Sequence, residues 1–326
     1  MKILVTGVAG FIGKKVAEIL LESGKEVLGV DNLNDYYDVR LKKWRLLSLE
    51  KYPNFKFVKM DIEKLKDVES LFKKNEIESV INLAARAGVR YSLIDPFVYM
   101  RTNAIGTLNI LENMRKYNVK KMVLASTSSL YAGEKMPFLE TLPTNSPISP
   151  YAASKKSAET MAYTYHFQYG LDISVVRYFT VYGPAGRPDM VVFKFINKII
   201  ENKPITVNGD GKQTRDFTYI DDIAKGTILA LKPVGYEIIN LGGGLESYSL
   251  KYLIKQIEDY TGKKAKIKYK KFPKADIKAT LANGNKAKKL FGWKPEVRFD
   301  DGLKNSIDWY LENRKWASNL KCRDGE

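Results

Sequence analysis

Cysteine and histidine are almost missing from this chain of 326 residues, which has one of each, Cys322 and His166. A lone cysteine excludes an internal disulfide and any cysteine-based metal cluster. His166 lies in a helical-looking stretch from Ala162 to Tyr169 and reads as a packing or surface residue. Chemistry that needs a histidine base is therefore not expected, and no metal site is expected. Long apolar runs are also missing, so nothing in the chain reads as a bilayer span. The opening Met1-Lys2-Ile3-Leu4-Val5-Thr6-Gly7 resembles a signal peptide only briefly: its apolar stretch breaks at Gly7 and no small-residue cleavage site follows. The expectation is a cytoplasmic protein with no membrane partner.

Acidic residues are in deficit, 37 Asp and Glu against 54 Lys and Arg, for a formal net charge of +17. A nucleic-acid surface would gather that charge on one face with aromatics between the cations. Here the lysines are spread through the chain, with modest clusters at Lys263–Lys271 and Lys286–Lys289. That distribution reads as a solvated, lysine-rich surface. A few cations are then left for the phosphates of an anionic substrate, and no nucleic-acid partner is expected. Hydrophobic residues make up 44%, enough for a packed core.

The first half alternates short β-rich runs with amphipathic helical patterns. Ile3–Val5, Glu26–Val30, Phe55–Val58, Ser79–Asn82 and Lys121–Ala125 read as strands. Phe11–Leu21, with Phe11, Ile12, Val16, Ile19 and Leu20 at helical spacing, and Thr107–Tyr117 read as helices. Such alternation implies a parallel sheet covered on both faces, with ligands at the carboxyl ends of its strands. After Gly183 the pattern loosens through Pro184, Gly186 and Pro188. A shorter α/β mixture follows and ends in the helical stretch Gly302–Leu311. The division expected is 1–183 for a nucleotide-binding domain that carries the reactive residues, and 184–326 for a smaller substrate-binding lobe, partly interleaved with the first.

Gly7, Gly10 and Gly13, with Phe11 and Ile12 between them, follow the first strand and open the first helix. Glycines in this setting allow a tight turn, close approach of a pyrophosphate and close helix–strand packing. The helix N-terminus offers free N–H groups to the phosphates. Glycines also make ordinary turns, but Asp31 at the end of the second strand completes the pattern. Its carboxylate suits the hydroxyls of an adenosine ribose and repels a 2′-phosphate, which favours NAD over NADP. Asp61-Ile62 follows the third strand, where Asp61 serves either the adenine or a helix N-terminus.

Tyr151 and Lys155 are four residues apart behind Pro150, a helix-starting residue. That spacing puts both on one helical face. An ammonium and a cationic nicotinamide both favour the phenolate, which makes Tyr151 a candidate general base. Ser126-Thr127-Ser128-Ser129 stands just past a strand end, where a hydroxyl meets the ligand and passes a proton to Tyr151.

These residues, together with Asn32, Leu83-Ala84-Ala85, Asn103 and Arg177-Tyr178-Phe179, resemble the extended short-chain dehydrogenase/reductase superfamily over nearly the whole chain. Within it the sequence is most similar to the nucleotide-sugar 4-epimerases. The resemblance implies a Rossmann-type doubly wound sheet, bound NAD, and a UDP-sugar whose C4 is oxidised to a ketone, turned over and reduced on its other face. It implies that Thr127 is the catalytic hydroxyl, Tyr151 the base, and Lys155 its partner and a ligand of the nicotinamide ribose. Asn103 would position the catalytic loop and cofactor. Ile62, Leu83, Ala84, Ala85, Ser126 and Tyr178 would line the cofactor site. The related 4,6-dehydratases carry an Asp-Glu pair after the threonine, and the xylose-forming decarboxylases a Glu in that run. Ser128 and Ser129 stand there instead, which argues against elimination.

The segments Asp31–Asp38, Ala87-Gly88-Val89-Arg90-Tyr91-Ser92 and Phe179–Met190 look like those of UDP-glucuronate 4-epimerases, with Thr180 where many UDP-glucose 4-epimerases have Asn. Arg90, Ser128, Ser129, Thr180 and Arg187 are then expected at the substrate. Neutral donors suit a sugar carboxylate whose 4-keto form is a β-keto acid prone to lose CO2. Arg215 matches a family arginine that grips the diphosphate, and Asp276 a carboxylate near the nucleoside. The neighbouring family arginine is replaced by Lys274. Alternatives are a UDP-glucose or UDP-N-acetylglucosamine 4-epimerase, a dehydrogenase that releases its cofactor, or a non-catalytic nucleotide-binding regulator. The family also implies a homodimer through helices near Tyr151, for which the face of Ala158, Met161, Ala162 and Tyr165 is a candidate.

Overall fold

The computed structural model describes residues 1–243 and 246–322. Its centre is a sheet of seven strands: β1 (Lys2–Thr6), β2 (Val27–Asp31), β3 (Phe55–Lys59), β4 (Ile77–Asn82), β5 (Lys121–Thr127), β6 (Asp172–Tyr178) and β7 (Tyr236–Leu241). They lie in the order β3-β2-β1-β4-β5-β6-β7, and every neighbouring pair is parallel. The order reverses between β1 and β4, and the crevice opens at the carboxyl ends there, as expected for a doubly wound sheet. β5 runs two residues beyond its expected end, because Ser126 and Thr127 pair with Arg177 and Tyr178. The last strand comes from beyond Gly183, so the second half of the chain completes the sheet of the first.

Side-chain alternation along the strands divides the core in two. Ile3, Val5, Val123 and Ala125 face one side, against α1 (Phe11–Glu22), α2 (Val39–Leu49) and the Ile220–Leu229 helix. Leu4, Val80, Met122 and Leu124 face the other, against α3 (Leu65–Lys74), α4 (Gly106–Lys116) and α5 (Pro150–Tyr169). Strands buried on both faces are nearly continuous in apolar residues, as parallel sheets require. The smaller α/β lobe has a core of its own, in which Phe195, Ile199, Leu253, Ile257, Leu303 and Ile307 pack around three two-stranded sheets. No described helix is long and apolar enough to cross a membrane.

Helix α5 is sharply bounded. The Ser149 hydroxyl caps it by accepting from the Ala152 N–H (3.2 Å), Pro150 opens its first turn, and Gly170 closes it in the left-handed conformation (φ 64°). His166 sits in the last turn with Nδ1 2.8 Å from the Leu171 carbonyl, a local packing role.

Candidate active site

The glycine turn is shaped by contacts that no side chain would tolerate. Gly7 has φ 68°, and a Cβ there would lie 2.8 Å from the Ala84 nitrogen; a Cβ on Gly13 would lie 2.2 Å from the Gly7 carbonyl oxygen. Thus β1, the loop after β4 and α1 converge closely. Helix α1 has no side-chain cap and no acid in its first turn. Gly10, Phe11, Ile12 and Gly13 therefore present uncapped backbone to the crevice, a setting that accepts a phosphate.

Beside the turn, Asp31 is buried and accepts from the Leu33 N–H through Oδ1 (2.7 Å). Among the described residues its Oδ2 accepts no hydrogen bond, so one oxygen is left for a ribose hydroxyl. Asn32 donates to Asp61 Oδ2 (2.8 Å), and Asp61 Oδ1 takes the Glu63 N–H (3.0 Å). Asp61 thus fixes the turn before α3 and lines the crevice with Ile62, Leu83, Ala84, Ala85 and Tyr178. The fit to a dinucleotide is good on these grounds: an uncapped helix, a glycine cradle and a carboxylate with a free oxygen. The cavity of about 410 Å³ has the size of a small-molecule site.

Three cations here escaped the sequence reading. Lys42 is buried on α2 with Nζ 3.8 Å from Asp31 Oδ1, and burial pushes its pKa down to about 8. Arg45, buried two positions before Leu47, donates to the Ala9 carbonyl (3.1 Å), the Tyr37 hydroxyl (2.7 Å) and the Ala185 carbonyl (2.6 Å). It ties the glycine turn to the loop after Gly183. Arg86 lines the crevice and donates to Asn34 Oδ1 (3.1 Å). Its Nε is buried without a partner, a donor left for an acceptor on a bound molecule. The available signal was in α2, where Lys42 and Arg45 interrupt the buried stripe of Leu41, Leu46 and Leu49.

Thr127, Tyr151 and Lys155 all line the crevice. Thr127, at the end of β5, is placed to act on the phenol of Tyr151, in the first turn of α5. Thr127 also accepts the Ser129 N–H (3.1 Å). The electrostatics differ from the sequence reading. The Lys155 ammonium donates to the Ala125 carbonyl (2.9 Å), and the cation acting on Tyr151 is Arg187. Burial pushes the Tyr151 phenol above its ordinary value, with Thr127 and the Arg187 charge working against that. Burial also pulls Lys155 down to about 8, with Glu159 opposing. The phenolate is thus not favoured by Lys155 alone.

Asn103 does not line the crevice. It lies on a widened π-helical turn, Met100–Ile105, a local form that recurs at functional sites. It accepts the Arg86 N–H (2.8 Å) and donates to the Arg86 carbonyl (2.9 Å) and Ser154 Oγ (2.9 Å). It therefore clamps the loop after β4 to α5.

On the substrate side, Ser126, Ser128, Ser129, Thr180, Arg187, Arg215 and Asp276 all line the crevice. Arg187 is locked by Asp189 (3.0 and 2.6 Å) and the Ala87 carbonyl (3.1 Å). Arg215 pairs with Asp276 (2.9 Å). Arg90 lies outside the lining, half exposed, and reaches only Asp276 (3.7 Å). The acids lining the cavity are Asp31, Asp61 and Asp276, so among the described residues no carboxylate lines it in the Ser126–Ser129 run beside Thr127. No metal-binding group of His, Cys, Asp and Glu is present among the described residues.

A tyrosine and a lysine on one helical face, aimed at the carboxyl end of a seven-stranded 3-2-1-4-5-6-7 sheet with a glycine cradle, define an extended short-chain dehydrogenase/reductase enzyme. More narrowly, the chain belongs to the GDP-mannose 4,6 dehydratase family, whose model matches residues 4–306. It is 59% identical over 318 residues to the UDP-glucuronate 4-epimerase of Thermodesulfobacterium geofontis, covering 98% of each chain. Its structure is similar to that of the UDP-glucuronic acid 4-epimerase from Bacillus cereus in complex with UDP-glucuronic acid and NAD, with a TM-score of 0.90 and 38% identity over 96% of this chain and 100% of that one. It is also similar to the UDP-glucose 4-epimerase of Thermotoga maritima with UDP-glucose, with a TM-score of 0.87 and 34% identity over 96% of this chain and 100% of that one.

Proposed function

We propose that the protein is a cytoplasmic isomerase that inverts C4 of UDP-glucuronate to give UDP-galacturonate, with NAD held on the enzyme. The observation that carries this reading is the Thr127–Tyr151 pair beside neutral donors, Ser128, Ser129 and Thr180, in a wall without a carboxylate. A 4,6-dehydration needs an acid and a base in that wall, so the family's dehydratase chemistry has no residues here to perform it. The identity to the T. geofontis 4-epimerase supports the same substrate.

The first turn of α1 and Arg86 would hold the NAD phosphates, Asp31 the adenosine ribose and Lys155 the nicotinamide ribose. NAD supplies a hydride acceptor at C4 and then the hydride donor that restores it. Thr127 holds the 4-hydroxyl and Tyr151 takes its proton; once the 4-keto sugar has turned over, Tyr151 returns that proton to O4. Arg215 grips the diphosphate after leaving Asp276, which turns to the nucleoside. Ser128, Ser129 and Thr180 orient the C5 carboxylate so that its bond to C5 is poorly aligned with the C4 ketone, which suppresses loss of CO2.

We assign NAD binding and catalysis mainly to residues 1–183 and substrate binding mainly to 184–326. We further assign a homodimer, but through a different face from the one anticipated. Ala158, Ala162 and Tyr165 are buried within the subunit. The exposed apolar residues near α5 are Leu93, Ile94, Phe97, Tyr163 and Phe167.

The test is incubation of pure protein with UDP-glucuronate, and separately with UDP-glucose, without added cofactor, followed by separation of the sugar nucleotides. UDP-galacturonate with little pentose product is expected. Preferential conversion of UDP-glucose would keep the mechanism and overturn the carboxylate pocket.

A further inference from the structure

Behind the crevice lies a buried polar frame that the mechanism above does not use. Glu159 stands one turn beyond Lys155 on α5 and is almost wholly buried. Its Oε1 accepts from Ser126 Oγ (2.6 Å) and Arg177 Nε (2.9 Å), and its Oε2 from Arg177 Nη2 (2.7 Å). Arg177 Nη1 donates to the Tyr131 hydroxyl (2.8 Å), which donates to Asn240 Oδ1 (2.8 Å). Two successive turns of α5 therefore grip two successive residues of β5: Lys155 holds the Ala125 carbonyl, and Glu159 holds the Ser126 hydroxyl. The next residue of β5 is Thr127.

We infer that Glu159 is a positioning residue for the epimerisation, the buried counter-charge of Lys155 and the clamp that sets the β5 end carrying Thr127. This rests on the catalytic roles of Lys155 and Thr127 given above. Lys155 forms no direct ion pair among the described residues, and Glu159 is the one charge that favours its ammonium form. Other titratable groups at this place are Tyr151 on the same helix, Tyr131 and Arg177 in the frame, Tyr178 on β6, Tyr236 on β7, whose hydroxyl donates to the Glu159 carbonyl (3.2 Å), and Arg187 across the crevice. Arg177 is already forked to Glu159, and Arg187 to Asp189. Both Glu159 oxygens are taken up by donors of the frame, which fixes the carboxylate one turn from Lys155.

The test reads Lys155 directly. In the NAD-bound enzyme labelled with ¹³C at lysine Cε, the Lys155 signal is identified by its loss in Lys155→Met, and its titration midpoint is compared in wild type, Glu159→Gln, Glu159→Asp and the double variant E159Q/R177M. The double variant removes the carboxylate without leaving Arg177 unpaired. Removing the counter-charge should lower the midpoint by about one pH unit or more, move the alkaline limb of turnover down with it, and leave Glu159→Asp in between. An unchanged midpoint in any of these variants that folds and keeps NAD overturns the inference. Failure of wild type to convert UDP-glucuronate would instead overturn the substrate reading, while the titration would still report on Glu159.

Discussion

Lys155 gives its ammonium to the Ala125 carbonyl (2.9 Å), whereas Tyr151, on the same helical face, shares the crevice with Thr127, which acts on its phenol. In the proposed mechanism the proton path runs from substrate to Tyr151 with Thr127 beside it, and Lys155 acts from the next turn of the helix. Tyr151→Phe should lower kcat by about 10²- to 10⁴-fold, the usual worth of a placed acid–base group. Bound NAD, read by absorbance after denaturation, should stay near the wild-type content. A variant within tenfold of wild type would place the base elsewhere.

The two shifted groups set the expected pH dependence. Tyr151 is raised above its ordinary value by burial, so its phenolate fraction, and the rate, should climb with pH through neutrality. Lys155 is lowered to about 8, so its charge, assigned above to the nicotinamide ribose, is lost as pH rises past that value. Turnover should therefore pass through a maximum and decline above about pH 8. The decline should be absent from the residual activity of Lys155→Met. A wild-type profile flat to pH 10 would contradict the assignment.

The neutral wall around the carboxylate makes its own prediction. Thr180 lines the crevice on the short strand Thr180–Tyr182. Thr180→Ala removes a donor, and one hydrogen bond to a charged group is worth about 1.5–3 kcal/mol. KM for UDP-glucuronate should rise by roughly tenfold or more on that basis, with UDP-glucose kinetics little changed. The freer carboxylate should also release more pentose product, measured by chromatography of the same reactions. Unchanged glucuronate kinetics would count against the pocket.

What the sequence made legible was local. The turn Gly7–Gly13, Asp31 at the end of β2 and the Tyr151–Lys155 pair are set by spacing within a few residues, and the structure brings them to one crevice. Residues whose roles depend on distant partners were not legible. Arg45 is explained only by Ala185, 140 positions away. β7 pairs with β6 across the whole first lobe segment, and its run Tyr236–Leu241 carries no signal of which sheet it joins. Arg90 and Arg187 were chosen by motif; one lies outside the lining and the other is already neutralised by Asp189, because a motif fixes residue type but not the ion pairs made in the fold.

The dimer face is the last point that packing decides. On α5, residues at one helical spacing, Ala158, Ala162 and Tyr165, fill the subunit core, while the opposite side leaves Tyr163 and Phe167 at 51% and 71% exposure with their rings stacked 6.4 Å apart. Phe97 at 72% and Ile94 at 63% are exposed on the stretch 89–99, whose short helices pack on α5. Exposed large apolar side chains on α5 and on the short helices packed against it mark an interaction surface, and a symmetric dimer would cover the same surface on both copies. Phe167→Asp combined with Phe97→Asp should shift the protein, by light scattering after gel filtration, from twice the 37.1 kDa of one chain to a single chain. Because α5 also carries Tyr151 and Lys155, the monomer should lose turnover along with its interface. A wild-type protein that runs as a monomer, or a double variant that remains dimeric, would move the interface to another face.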